Sequence, residues 1–422
     1  MIQLIKGFKD ILPDESGCWR RVETLAAEIF DNFGFEELRP PILENTGLFE
    51  KSIGQDTDIV EKEMYTFADR KGDLVTLRPE ATAGVVRAYI QHQLYAVSPY
   101  RKFFTIGPMF RRERPQKGRY RQFHQINAEA FGVKEPFIDA QMILMLMTFF
   151  TRLGLNDISV HLNSLGCAGC RPAYKQRLAG FLETHRERLC QDCRQRLDRN
   201  PLRVLDCKVE QCRQVAERAP VITDCLCPDC RAHFALLTTL LRGLGIEFVH
   251  DHRLVRGLDY YTRTTFEIQT GRLGAQNAIA GGGRYDELVK QLGGPDQPAV
   301  GFAVGCERLI ELLRQQADPD QTAAIDLFIA ALGADSRRQA FQWLSQLQLA
   351  GFKVEMSFDE RGLKSQMKLA DKFHAAQTLI VGETELADGR VVLRDMRTRE
   401  QRELPLNDLM EQIKEHLPSK QS

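Results

Sequence analysis

Three arginines stand where they could hold a phosphorylated ligand: Arg111 in "FRRERP", Arg256 in "VRGLDYY" and Arg308 in "GCERL", each beside glycine or an acid. A guanidinium makes two parallel hydrogen bonds to a phosphate and keeps its charge at any physiological pH, so arginines at strand ends facing one cleft suit phosphoryl chemistry. One such residue carries little; three from distant segments are specific. The first lies in a strongly basic stretch. Residues 101–121 hold eight basic side chains (Arg101, Lys102, Arg111, Arg112, Arg114, Lys117, Arg119, Arg121) against Glu113 alone. The whole chain has 57 basic and 57 acidic residues, so attraction for a polyanion must come from such a patch. Period-two alternation puts Arg111 and Glu113 on one face of the first strand, and Phe123, Gln125, Asn127 and Glu129 on one face of the return strand. A sheet built for stability alone would carry valine or leucine there. Ion pairing across the hairpin is the plainer alternative for the strands, and simple solvation for the tip.

Cysteines form a second constellation. Nine of the eleven fall between 167 and 230, spaced Cys167-x2-Cys170, Cys190-x2-Cys193, Cys207-x4-Cys212 and Cys225-x-Cys227-x2-Cys230. Close pairs at such separations read as tetrahedral zinc sites. The simplest pairing runs in chain order, Cys167/Cys170/Cys190/Cys193 and Cys207/Cys212/Cys227/Cys230, and any zinc here is expected to be structural. Cys18 and Cys306 read as lone buried residues, and His161, His185 and His233 as surface or core residues. With no export signal before Gly7, the thiols are expected to stay reduced in a cytoplasmic setting.

The elements that position these residues follow from apolar spacing. "CWRRVETLAAEIFDNFGF" places Trp19, Val22, Leu25, Ala26, Ile29, Phe30 and Phe33 on one side of a helix closed by Gly34. In "EELRPPILE", Pro40 and Pro41 restrict a strand to a sheet edge or bulge. "DLVTLRPEATAGVVRAYIQHQL" reads as strand, turn and helix, with Thr82 as a helix N-cap. The greasiest run, 137–155, is broken by Asp139, Gln141, Thr148 and Arg152, so a buried helix is predicted and not a membrane span. "AIAGGGRYD" carries a glycine-rich junction at 281–284, expected as a flexible loop. A polar linker near 314–324 precedes alternating strands and helices, which predict a small separate α/β domain.

With these motifs in hand, the chain resembles the class II aminoacyl-tRNA synthetases, and within them the histidyl-tRNA synthetase family, from "KGFKDILPDE" to the last domain apart from the cysteine-rich stretch. The resemblance implies an α+β catalytic domain (1–160 and 234–318) with a mostly antiparallel sheet flanked by helices. A Cys-rich insertion (161–233) and an anticodon-binding α/β domain (325–422) complete it. It implies a homodimer with no membrane association, acting on ATP with Mg²⁺, L-histidine and tRNA(His). Arg111 would hold the α-phosphate, Glu113 the adenine amino group, Phe123 and Arg308 the two faces of adenine, and Arg119 and Arg121 would add to the ATP site. Arg256 would bridge the histidine carboxylate and the α-phosphate. Glu129 and Tyr261 would grip the imidazole, with Glu80, Thr82 and Gln125 on the α-amino group and Tyr260 and Tyr285 closing the pocket. Tyr260 and Tyr261, adjacent on a strand, would face opposite ways. Arg114 and Gln116 at the hairpin tip would read the tRNA acceptor end. The rival reading is a regulatory paralogue that binds histidine or a phosphoribosyltransferase partner without charging tRNA; such proteins lose the arginines and the C-terminal domain, both kept here. A zinc-stabilised RNA-binding module without chemistry would leave "AIAGGGRYD" and "RPEATAG" unexplained.

Overall fold

The computed structural model describes residues 2–54, 57–114, 118–258, 260–273, 277–316 and 325–417. Helix Pro13–Asn32 opens the fold. Its first turn carries Pro13, Asp14 and Glu15, which suit the fixed proline φ and the positive helix start. Trp19, Val22, Ala26, Ile29 and Phe30 form its buried stripe, and Gly34 at φ +78° turns the chain out of the helix. Phe30 sits in the core with the rings of Phe35, Phe104, Phe149 and Phe302 at 6.3, 5.7, 6.1 and 5.8 Å. The greasy run forms helix Phe137–Arg152, with Ile138, Met142, Met145, Leu146 and Phe149 buried. Among the described residues no helix is long and apolar enough to cross a membrane.

Both helices share one apolar cluster with an eight-stranded sheet. The strand order is Glu36–Glu37, Arg101–Phe110, Gln122–Phe131, Ala299–Gly305, Ala278–Arg284, Thr262–Gln269, Ser159–Ser164, Phe248–His250. The inner pairings are all antiparallel, and only the two edge pairings are parallel. Pro40 and Pro41, lacking N–H groups, split the expected strand in two: Glu36–Glu37 joins this sheet, and Leu43–Asn45 joins a three-stranded sheet with Leu74–Leu77 and Tyr65–Ala68. The glycine-rich junction is not a flexible loop. It lies in strand Ala278–Arg284, paired on both sides, and a Cβ at Gly282 would lie 2.2 Å from the Gly301 carbonyl oxygen. Close strand approach is what the glycines serve there.

The insertion leaves the sheet after Ser164 and not at 161, since Ser159–Ser164 pairs with Thr262–Gln269. It carries helices Arg171–Glu183, Gln191–Arg199 and Glu210–Ala216, and returns through Pro228–Gly243, a helix that runs unbroken across position 233. A second compact unit follows Gln316. Its five-stranded sheet has the order Val354–Met356, Ile325–Leu332, Ala375–Gly382, Arg390–Asp395, Gln401–Pro405, with Leu327, Ile329, Leu344, Leu347, Leu379 and Val381 in its core.

Candidate active site

A cleft of about 740 Å³ is lined by Arg111, Arg256 and Arg308 together. Arg111 follows the strand Arg101–Phe110, Arg256 precedes Thr262–Gln269, and Arg308 lies in the first turn of helix Cys306–Gln316. Each guanidinium is anchored by a hydrogen bond. Arg111 Nε donates to the Pro79 carbonyl at 2.9 Å, and its Cζ stands 5.2 Å from the Phe123 ring centroid. Arg256 Nη1 donates to Glu267 Oε1 at 2.6 Å, and Arg308 Nη1 to the Ala278 carbonyl at 2.8 Å. A Cβ at Gly281 would lie 2.5 Å from Arg256 Nη1, so a side chain there would displace the guanidinium. Arg256 Nε and Gln125 Oε1 are buried without a hydrogen-bond partner, the kind of orphan that marks a ligand-facing group.

Glu113, Arg119, Phe123 and Gln125 line the same cleft. Arg119 Nη1 donates to Glu113 Oε2 at 3.1 Å and Arg111 Nη1 stands 3.7 Å from Glu113 Oε1, so ion pairing within the hairpin exists, on the cleft wall itself. Arg121 is not brought to the cleft. Its guanidinium donates to the carbonyls of Glu113 and Lys6 at 3.4 and 3.2 Å, bracing the hairpin against the N-terminal segment. Arg114 is exposed, and Gln116 lies outside the described residues.

Behind the arginines lies a buried polar cluster. Thr82 does not cap the helix Thr82–Gln91. The Glu80 carboxylate takes that role, accepting from the main-chain N–H groups of Thr82 and Ala83, both at 2.8 Å. The Thr82 hydroxyl is thereby free to donate to Glu129 Oε1 at 2.6 Å, while the Tyr285 hydroxyl donates to Oε2. Gly301 opposite makes the space, since a Cβ there would lie 1.6 Å from Glu129 Oε2. Burial pushes the Glu129 carboxyl up to about 8 and the Glu80 carboxyl upward as well, the hydrogen bonds each accepts opposing this. Burial likewise raises the phenols of Tyr260, Tyr261 and Tyr285. Tyr260 and Tyr261 precede their strand and do not alternate; both are buried with ring centroids 4.7 Å apart, and Tyr260 meets Tyr285 edge-on at 5.5 Å. Arg256 Cζ lies 5.6 Å from the Tyr261 ring centroid and joins this cluster to the cleft.

The thiols assemble in two groups of four whose sulfurs all lie within 4.8 Å of one another: Cys167, Cys170, Cys227, Cys230 and, separately, Cys190, Cys193, Cys207, Cys212. The chain-order pairing is therefore corrected to a nested one. Both ends of the insertion return to the same place, so its first and last pairs close an outer centre around an inner one. Sulfur separations of 3.6 Å (Cys167–Cys170) and 3.9 Å (Cys190–Cys207) match the ~3.8 Å edge of a tetrahedron with ~2.3 Å metal–sulfur bonds, far from a ~2.05 Å disulfide. Main-chain N–H groups of Cys227 and Cys190 point at Cys170 Sγ and Cys212 Sγ, both at 3.2 Å, as suits thiolate ligands.

Sequence reasoning missed two residues of the site. Glu267 holds Arg256 and accepts from Gln269 Nε2 at 3.1 Å. Its signal was an acid between buried Phe266 and Ile268, hence on the strand face opposite the core. Glu307 accepts from the His124 main-chain N–H at 2.8 Å and approaches the ring Nδ1 at 3.0 Å, fixing the strand that carries Phe123.

An antiparallel sheet whose hairpin, pre-strand segment and terminal helix bring three arginines to one cleft is the catalytic fold of the class II aminoacyl-tRNA synthetases. The family model described as "Histidyl-tRNA synthetase" matches residues 7–309, and that described as "Anticodon binding domain" matches 326–416. The chain belongs to the histidyl-tRNA synthetase family, and as such is an aminoacyl-tRNA ligase. It is 68% identical over 409 residues to the histidine–tRNA ligase of Desulfosudis oleivorans, covering 97% of each chain. To that of Geobacter sulfurreducens it is 52% identical over 406 residues, 96% of this chain and 98% of the other. The crystal structure of apo S. aureus histidyl-tRNA synthetase superposes with a TM-score of 0.80 at 35% identity, covering 98% of this chain and 100% of that one.

Proposed function

We propose that the chain activates L-histidine with ATP, taken as its magnesium complex, to histidyl-adenylate and pyrophosphate, and then transfers histidine to the 3′ end of tRNA(His). A histidine carboxylate oxygen bonds to the α-phosphorus while the bond to the pyrophosphate leaving group breaks. Both reactants are anionic, so positioning and charge stabilisation carry the step. Arg256 shares its guanidinium between the carboxylate and the α-phosphate, Arg111 takes the opposite side of the phosphate, and Arg308 meets the outer phosphate and adenine. Phe123 offers the stacking surface and Glu113 an acceptor for the adenine amino group. Glu129 and Tyr261 recognise the imidazole, where a buried polar partner rejects ligands lacking a ring nitrogen far better than an apolar wall. Glu80, Thr82 and the orphaned Gln125 oxygen receive the α-amino group. In the second step the terminal ribose hydroxyl attacks the activated carbonyl and AMP leaves, with no protein nucleophile.

The convergence of Arg111, Arg256 and Arg308 on one cleft carries this reading. It also speaks against the regulatory paralogue, as does the match of the C-terminal domain. The two four-cysteine groups fit Zn²⁺, which would brace the insertion, and free thiol ligands imply a reducing cytoplasm. Ile42, Leu43, Phe67 and Leu74, exposed on and beside the three-stranded sheet, support a homodimer; a monomer in sedimentation would remove that part. The decisive measurement is ATP–pyrophosphate exchange. It should depend on histidine and on no other amino acid, and Arg256→Ala should lower it roughly 10²–10³-fold. Undiminished exchange in that variant would show that the central cation is assigned wrongly.

A further inference from the structure

Arg203 lies on the turn Pro201–Val204, inside the loop that Cys193 and Cys207 of the inner centre close. Its Nη1 donates to the main-chain carbonyl of Arg256 at 3.1 Å, and a Cβ at Gly257 would lie 3.4 Å from the same atom. Its Nη2 faces Asp58 Oδ2 at 3.9 Å. Just before it, Arg196 and Arg199 face Asp58 and Glu61 at 3.8 and 3.4 Å. Cys193, Val204 and Leu205 pack in one apolar cluster with Val255, Tyr260 and Tyr261. The cysteine-rich insertion is thus built into the wall of the amino-acid pocket, and it reaches the backbone of Arg256 itself.

We propose that Arg203 is a positioning residue for Arg256, so that the insertion sets the geometry of histidine activation. The inference rests on Arg256 being the cation that meets the histidine carboxylate. Glu267 fixes one edge of the Arg256 guanidinium, and Arg203 fixes the backbone from which that side chain springs. A charged donor on that carbonyl is a strong anchor, and a small displacement of a positioned group costs catalysis heavily.

Calorimetric titration of the full-length chain with L-histidine and with L-histidinol, which lacks the carboxylate, separates this role from general support of the fold. In Arg203→Met, which keeps the aliphatic stem but no donor, histidine affinity should fall about tenfold, the scale of one lost charge-assisted hydrogen bond, and histidinol affinity should stay within about twofold. Exchange at saturating histidine should fall with it. Arg203→Lys, which keeps the charge on one donor nitrogen but not the planar fork, should lose about threefold for histidine and nothing for histidinol, and it decides the matter if the methionine variant does not fold. Equal losses for the two ligands, or unchanged histidine affinity, overturn the proposal. A wild-type chain that binds neither ligand would sink the histidine reading and this inference with it.

Discussion

Glu129 is almost fully buried, and both of its oxygens face neutral hydroxyls, from Thr82 and Tyr285. Among the described residues no cation offsets the loss of water, so the carboxyl is pushed up to about 8, chiefly by burial. The folded pKa therefore lies above the unfolded value of about 4.3, and the folded chain holds this proton more tightly. The group's contribution to stability is present at low pH and is lost as pH rises toward 8. Glu129→Gln has no such titration. In thermal melts without ligand, the variant should gain on the wild type between pH 6 and pH 9, by on the order of a few kcal/mol at most. The same variant should lose roughly a hundredfold in kcat/KM for histidine in the exchange reaction. A stability gap that stays constant with pH would mean that the carboxylate is already ionised. Glu129 was legible in the sequence because it shares a strand face with Gln125 and Asn127, where a sheet built for stability alone would carry valine or leucine. Arg121 and Thr82 were not, because their roles turn on contacts that spacing does not report: carbonyls of Lys6 and Glu113 for the one, a carboxylate 47 residues away for the other. Arg203 left no signal at all, since it acts through a main-chain carbonyl 53 residues on.

Among the elements, the glycine strand and the insertion show where local pattern stops. Three successive glycines read as a loop because nothing in them favours a strand. They form one because Gly281 lies against Arg256 and Gly282 against the Gly301 backbone, contacts a larger residue would forbid. Cysteine spacing picked out the eight thiols that come together but not their grouping, since that depends on how the helices between them return. The nested pairing has a distinct consequence. Outer Cys170 and Cys227 are 57 residues apart, so a metal bound there would close a long loop of the folded chain, while one bound to the inner group would hold the loop that carries the Arg203 turn. The double variant Cys170→Ser/Cys230→Ser damages only the outer centre if pairing is nested, but damages both if it follows chain order. Zinc analysis of protein purified without added metal should find two ions per chain in the wild type and one in the double variant. Finding none in the double variant would restore the chain-order pairing. Stripping metal from the wild type with a chelator should lower the melting temperature and also weaken histidine binding.

At the scale of the molecule, the division after Gln316 separates two chemical tasks. Among the described residues, the apolar clusters of the first unit share no member with those of the second, so each has its own core. Every cleft residue and both cysteine centres belong to the first unit. On the proposed reading, histidine and ATP are held by residues of the first unit, and a tRNA held at both its acceptor end and its anticodon would engage both units. With no net charge on the chain, attraction for the RNA comes from local patches such as 101–121, which act at the acceptor end and leave the anticodon contact to the second unit. Two linked contacts on one RNA raise affinity by roughly 10²–10⁴ over either alone. A chain ending at Gln316 should accordingly keep histidine-dependent ATP–pyrophosphate exchange within about threefold of the full chain, the site being intact, and lose on the order of 10² in kcat/KM for tRNA aminoacylation. Loss of both reactions in equal measure, in a truncated chain that melts cooperatively, would show that the second unit shapes the catalytic cleft and does more than hold RNA.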